Sequence, residues 1–202
     1  MGNPRSNETR RRIVDAAREL FMKHGHDGVN MRELAERAGV NKGLLHYYFK
    51  TKDSIFKEVF QHQAGRLYTE VLDIVEGDGP FEDKVVAMVE RYFVMLTEVP
   101  SLPVFVMFEV QRDPGMVARS PFRDTILRIA ALIGPELRKR RLPPERADGM
   151  QFLIDILSLC AFTFAMLPGI AKVMKFTKAQ RASFLEVRKT HIIAMIQNSL
   201  IP

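Results

Sequence analysis

The sequence predicts an all-α chain. Apolar residues recur at helical spacing along most of its 202 residues, Pro and Gly fall between those stretches, and no run alternates apolar and polar with the period of two that a strand needs. At 47% hydrophobic and 27% charged, the composition is that of an ordinary globular protein and not of a disordered one.

The first helix is expected over Glu8 to Lys23, where Ile13, Ala16, Ala17, Leu20 and Phe21 share one side, and Gly25 stops it. Asn30 followed by Glu33 has the form of a capping box, with Val29 and Leu34 placed as a hydrophobic staple, so a second helix starts there. Its apolar stripe is Met31, Leu34, Ala35 and Ala38, and Gly39 offers the left-handed conformation that ends it. Asn41 then caps a third helix, and Val40 and Leu45 form a second staple. The two helices are joined by a three-residue turn. With Leu45 and Phe49 inward, Lys42, Gly43, His46 and Tyr47 are left on the outward face.

Thr51 is positioned to cap a fourth helix through Ile55, Val59, Phe60, Leu67, Val71, Leu72 and Val75, ended by Gly77-Asp-Gly-Pro80. It should link head to body. Further helices are expected at 82–98, 102–112, 121–141, 145–167 and 178–200, punctuated at Pro100, Pro103, Pro114-Gly115, Pro143-Pro144 and Pro168-Gly169.

The charge is uneven. Residues 1–52 hold eleven Lys and Arg against six acids, a net of +5, while residues 53–202 hold nineteen against eighteen, so nearly all of the chain's +6 sits in its first quarter. That is the signature of a polyanion-binding head on a neutral body, and it divides the chain into 1–52 and 53–202. On the third helix Lys42 can donate to guanine O6 and N7, His46 can bond a base edge, Gly43 permits close approach, and Tyr47 and Lys52 suit phosphates.

The stretch from Met31 to Lys52, MRELAERAGVNKGLLHYYFKTK, closely resembles the signature of the tetracycline-repressor (TetR) family, and the likeness covers roughly residues 9–56. The resemblance implies a dimeric, cytoplasmic DNA-binding regulator, most often a repressor, released from a palindromic double-stranded operator by a small ligand. Carried over by position, it puts Arg32, Lys42, Gly43 and His46 near bases and Asn30, Tyr47 and Lys52 near the backbone, with Asn41 in the same interface. Leu44 stands where the family usually has a small hydroxyl residue and His46 where it has tyrosine; Leu44 can instead touch a thymine methyl.

In the body, Met88, Tyr92, Met95, Phe105, Phe108, Phe152, Phe162 and Met166 can line a cavity for a small apolar or amphipathic inducer, or can be plain core. Glu109 and Asp155 interrupt apolar runs, so each is expected either to meet a polar ligand or to pair with an internal arginine, Arg91 or Arg112. A homodimer is expected because one short recognition helix reads too few bases. Phe184, Val187, Ile192, Met195 and Ile196 on the last helix are its candidate contacts.

An enzyme lacks support. There is no glycine-rich phosphate loop and no nucleophile with a base, and His24-Gly-His26 and Glu82-Asp83 make weak metal or acid–base sites, so no metal and no cofactor are expected. A DNA-binding protein tuned by a protein partner stays open as the alternative. Cys160 is expected as a small buried hydrophobe, Met1 to Thr9 carries no secretory apolar stretch, and the run Phe152 to Leu167 falls short of the roughly twenty residues that cross a bilayer, so it is expected as a buried helix. A cytoplasmic protein without a membrane partner is the expectation.

Overall fold

The computed structural model describes residues 4–201, apart from the side chains of Pro4, Arg5, Met22 and Glu109. Nine α-helices and one 3₁₀ turn, joined by turns and short irregular stretches, occur among the described residues, and no strand does. The helices are α1 (Pro4–His24), α2 (Met31–Ala38), α3 (Lys42–Tyr48), α4 (Lys52–Glu76), α5 (Phe81–Glu98), α6 (Leu102–Arg112), α7 (Arg123–Lys139), α8 (Gly149–Val173) and α9 (Lys178–Ser199). The 3₁₀ turn spans Pro144–Arg146.

Helices α1 to α3 form a small head. α1 packs on α2 and α2 on α3, and Ile13, Ala17 and Phe21 of α1, Leu34 of α2 and Leu45 of α3 are all buried in the shared core. α4 packs on α1 through Ile55, Phe56 and Val59, then carries on into the body, where Leu67, Val71 and Val75 meet α5 and α7. In the body α5 is central, packed against α4, α8 and α9, with Val85, Met88, Val89 and Tyr92 shut from solvent.

Three expectations of the sequence are corrected. α8 starts at Gly149 and runs through Pro168 to Val173, where an end at Leu167 was expected. Proline removes one backbone bond, but Ala171 beyond it is buried and holds the helix to the core. The stop is Lys175 at φ 53°, where the Phe176 amide returns to the Ala171 carbonyl at 2.9 Å. Secondly, α8 is not the buried helix expected of its apolar run. It has a mean hydropathy of 2.0 over its most apolar stretch, long enough to cross a bilayer, yet only 28% of that stretch is buried. Thirdly, the box at the start of α2 forms by half. Asn30 accepts from the Arg32 and Glu33 amides, while the Glu33 carboxylate is turned towards His24 at 3.9 Å.

α7 and α8 approach so closely that Gly149 has no room for a side chain: an added Cβ would run into the Ala130 carbonyl. Gly149→Ala should therefore destabilise the chain by about 1–3 kcal/mol, the usual cost of forcing volume into a packed contact. Thermal unfolding reads this as a midpoint lower by several degrees, about 2–4 °C per kcal/mol at this size. An unchanged midpoint would show that the helix pair can separate freely.

Candidate nucleic-acid interface

The interface is built from three helix starts. Asn30 caps α2, Asn41 caps α3 by accepting from the Leu44 amide at 2.7 Å, and Thr51 caps α4 in a reciprocal box with Ser54. Each cap satisfies amides that a short helix leaves open, which matters most for the seven-residue α3.

The turn between α2 and α3 is fastened from outside. Gly39 adopts φ 64°, and the Arg12 guanidinium of α1 donates to the Ala38 and Gly39 carbonyls at 2.8 and 3.1 Å. A side chain at Gly39 would crowd that guanidinium at 3.1 Å. The head is joined to α4 by Arg10, whose guanidinium takes both oxygens of Glu58 at 2.9 and 2.8 Å while stacking over the Phe49 ring at 4.8 Å. The Tyr48 hydroxyl donates to Ser6 at 3.2 Å. Arg37 of α2 pairs with Glu19 of α1.

This scaffold leaves the outer surface of α3 bare. Lys42, Gly43, Leu44 and Tyr47 are exposed, Tyr47 by 73%, and His46 is half-buried. A Cβ on Gly43 would meet only Asn41 at an ordinary 3.4 Å, so the fold does not demand glycine there; the empty space lies on the outside. Asn30, Arg32 and Asn41 are exposed and Lys52 is half-buried at the first position of α4. Arg32 holds Glu36 one turn on at 3.1 Å, an exposed pair that an anion can displace at little cost.

Residues 13–59 match the model of the bacterial regulatory proteins of the tetR family. The head of the chain is thus similar to the DNA-binding part of tetR-family regulators. It is 23% identical over 101 residues to the fatty acid metabolism regulator protein of Bacillus subtilis (strain 168), a match covering 50% of this chain and 52% of the relative. It is 36% identical over 56 residues to the HTH-type transcriptional regulator AcrR of Shigella flexneri, covering 28% and 26%. The chain thus spans about half or less of the length of these curated relatives. The fold is that of a tetR-family transcriptional regulator from Mesorhizobium loti, with a TM-score of 0.66, 20% identity and 98% of both chains covered.

In the body the expected ligand residues separate. Met88, Tyr92, Phe105 and Phe152 are buried and Met95 is half-buried. Phe108, Phe162 and Met166 are instead exposed, Phe162 by 64%, because they stand on the outer sides of α6 and α8. Asp155 is exposed as well, so it carries no burial cost and needs no ligand or internal arginine; Arg91 pairs with Glu70. The Glu109 side chain lies outside the described residues. On α9, Ile192 and Ile196 are buried in the chain's own core and cannot face a second subunit, whereas Val187 and Met195 are exposed and Phe184 half-buries against Phe176.

Burial sets the state of two side chains in the body. The Tyr92 hydroxyl is fully buried, close to Tyr68 of α4 but without a hydrogen bond of good geometry, and burial, with Tyr68 beside it, holds its phenol protonated well above the usual range. Cys160, also buried, has its thiol pushed up to about 12 by the same cause. In the head, His26, read in the sequence only as part of the weak His24-Gly-His26 pair, has its ring nitrogens 3.0 Å from Asp27 and 2.9 Å from Asp53. No short-range spacing joins His26 to Asp53.

The Arg10 hydrogen bonds hold the Glu58 carboxyl below its ordinary value of 4.5, against the opposing effect of its partial burial. A depressed carboxylate stabilises the fold above its unfolded value and loses that contribution as pH falls through the lower, folded value. Glu58→Gln should therefore be less stable than wild type at pH 7, and the gap should close on acidification below about 4.5. Urea midpoints of both proteins across that window check this; a gap constant with pH would contradict it.

Proposed function

We propose that the chain is a cytoplasmic DNA-binding transcription regulator, a repressor that holds a palindromic operator as a homodimer and lets go when a small apolar or amphipathic ligand binds. In this reading residues 1–52 are the DNA-binding head and residues 53–202 the ligand-sensing and dimerising body. The observation that carries it is α3: a capped, fastened helix whose outer side offers Lys42, Gly43, Leu44, His46 and Tyr47 to solvent on a head of charge +5. Lys42 suits guanine, Leu44 a thymine methyl, His46 a base edge, and Tyr47 and Lys52 phosphates.

A helix of seven residues is only roughly 10 Å long, so one copy reads a few base pairs and a second must supply the other half-site. The surface for that second copy is the bare apolar side of α8 and α9. Ile154, Phe162, Met166 and Val173 are exposed on α8, and Val187 and Met195 on α9, more apolar surface than a lone chain keeps in water. The ligand reading is supported by the Tyr92 hydroxyl, a buried polar group left without a well-formed hydrogen bond one turn from the buried Met88 on α5, at a cost of about 1–3 kcal/mol. A ligand's polar atom would satisfy it. That the Bacillus relative is named for fatty acid metabolism also favours an apolar ligand.

Operator affinity should fall by about a thousand-fold or more between roughly 50 and 200 mM salt, as phosphate contacts release counterions. Lys42→Ala should relax base preference at about 1–3 kcal/mol for its own position, while Tyr47→Ala and Lys52→Ala weaken every sequence alike. Gel-shift titrations of operator and scrambled duplexes decide this, and salt-insensitive binding with all three variants intact would sink the reading of α3.

Phe162→Glu, on the outer side of α8, should give a folded monomer by light scattering with operator binding lost. If it remains dimeric, the subunits meet elsewhere.

A further inference from the structure

Between head and body the surface opens into a cleft of about 770 Å³. Phe21 and the turn after α1 form one wall, Asp53 at the start of α4 lies beside them, and Ser101, Phe105 and Phe108 come from the segment entering α6 and from α6 itself. α8 closes the far side through Phe164. The volume lies within the range of about 300–1,000 Å³ that holds drug-sized molecules.

The chemistry of its walls is specific. The floor is aromatic: Phe105 lies 4.2 Å from Phe56 and 5.9 Å from the His26 ring, which in turn lies 5.8 Å from Phe21, centroid to centroid. The rim is acidic in a basic protein. Among the lining residues the charged side chains are Asp27 and Asp53, with the imidazoles of His24 and His26 and no lysine or arginine. His26 contacts both carboxylates, but a neutral imidazole donates only one proton and an imidazolium cancels only one charge. His24 is faced by its own carboxylate, Glu33. The two aspartates therefore keep at least one uncompensated negative charge, and Asp27 is fully exposed. Deeper in, the Ser101 hydroxyl oxygen is shut from solvent without a hydrogen-bond partner.

We propose that this cleft binds an organic monocation, an ammonium group carried on an apolar ring system. The ring sits on the phenylalanine floor, the ammonium meets Asp27 and Asp53, and the Ser101 hydroxyl bonds a polar atom of the ligand. Because its walls belong to both head and body, occupation favours one inclination of the head over another, the differential affinity that any effector needs. This rests on the reading of the chain as a ligand-released DNA-binding regulator, and it adds an effector site at the joint, separate from the surroundings of Tyr92 in the body.

The test titrates the full chain by calorimetry with 2-naphthylmethylammonium and its neutral isostere 2-naphthalenemethanol, and measures operator affinity with and without the ammonium probe. The ammonium should bind about ten-fold or more tightly than the alcohol, in keeping with a charge-assisted hydrogen bond. Asp27→Asn with Asp53→Asn should abolish that preference while the alcohol binds as before. Should the double variant fail to fold, Asp27→Asn alone, at a fully exposed side chain, must reduce the preference. Equal binding of ammonium and alcohol, or a preference that survives these changes, overturns the site. Ammonium binding that leaves operator affinity unchanged overturns the coupling. Failure of the regulator reading looks different: the unliganded chain then binds no operator, whatever the probes do.

Discussion

The arrangement depends on α4 being one unbroken helix that belongs to two cores. Its 25 residues span roughly 37 Å. At one end Ile55, Phe56 and Val59 are sealed in the head, with Glu58 held by Arg10; at the other Leu67, Val71 and Val75 are sealed in the body. A stiff rod fixed at both ends passes any change of packing at one end to the other as a change of angle. The aromatic contact of Phe105 with Phe56 adds a second tie beside it. Head and body are thus mechanically continuous, and an effector need only alter a few contacts at the joint or in the body to move the head.

Most of the head was legible in the sequence because its determinants are local. Asn30, Asn41 and Thr51 cap helices whose apolar stripes begin within a few residues, and Gly39 adopts the left-handed turn that the spacing requires. What escaped were contacts between distant segments: Arg10 with Glu58, Arg12 with the α2 end, His26 with Asp53. None follows a short-range spacing.

The body was legible in helix number but not in orientation. α8 is apolar on every side, so the sequence cannot tell that Phe164 is buried and Phe162 exposed. Asp155 looked costly because its neighbours are apolar; in a helix with a bare side, a carboxylate marks that side. α9 carries two apolar stripes, Ile192 and Ile196 facing its own core and Val187 and Met195 facing out, and composition counts them alike. The stop of α8 at Lys175 is a tertiary choice, where packing of Ala171 outweighs the preference of proline for helix ends.

The division of labour in α3 has an evolutionary consequence. The groups that hold the helix in place are Asn41, Leu45 and Phe49 from within, with Arg12 and Gly39 fastening the turn, whereas Lys42, Gly43 and Leu44 are exposed and the core does not need them. Mutational drift at those three positions is nearly free of folding penalty. On the proposed function, a duplicated copy of such a chain can acquire a new target sequence in single steps, each intermediate remaining fully folded, while its body is inherited intact.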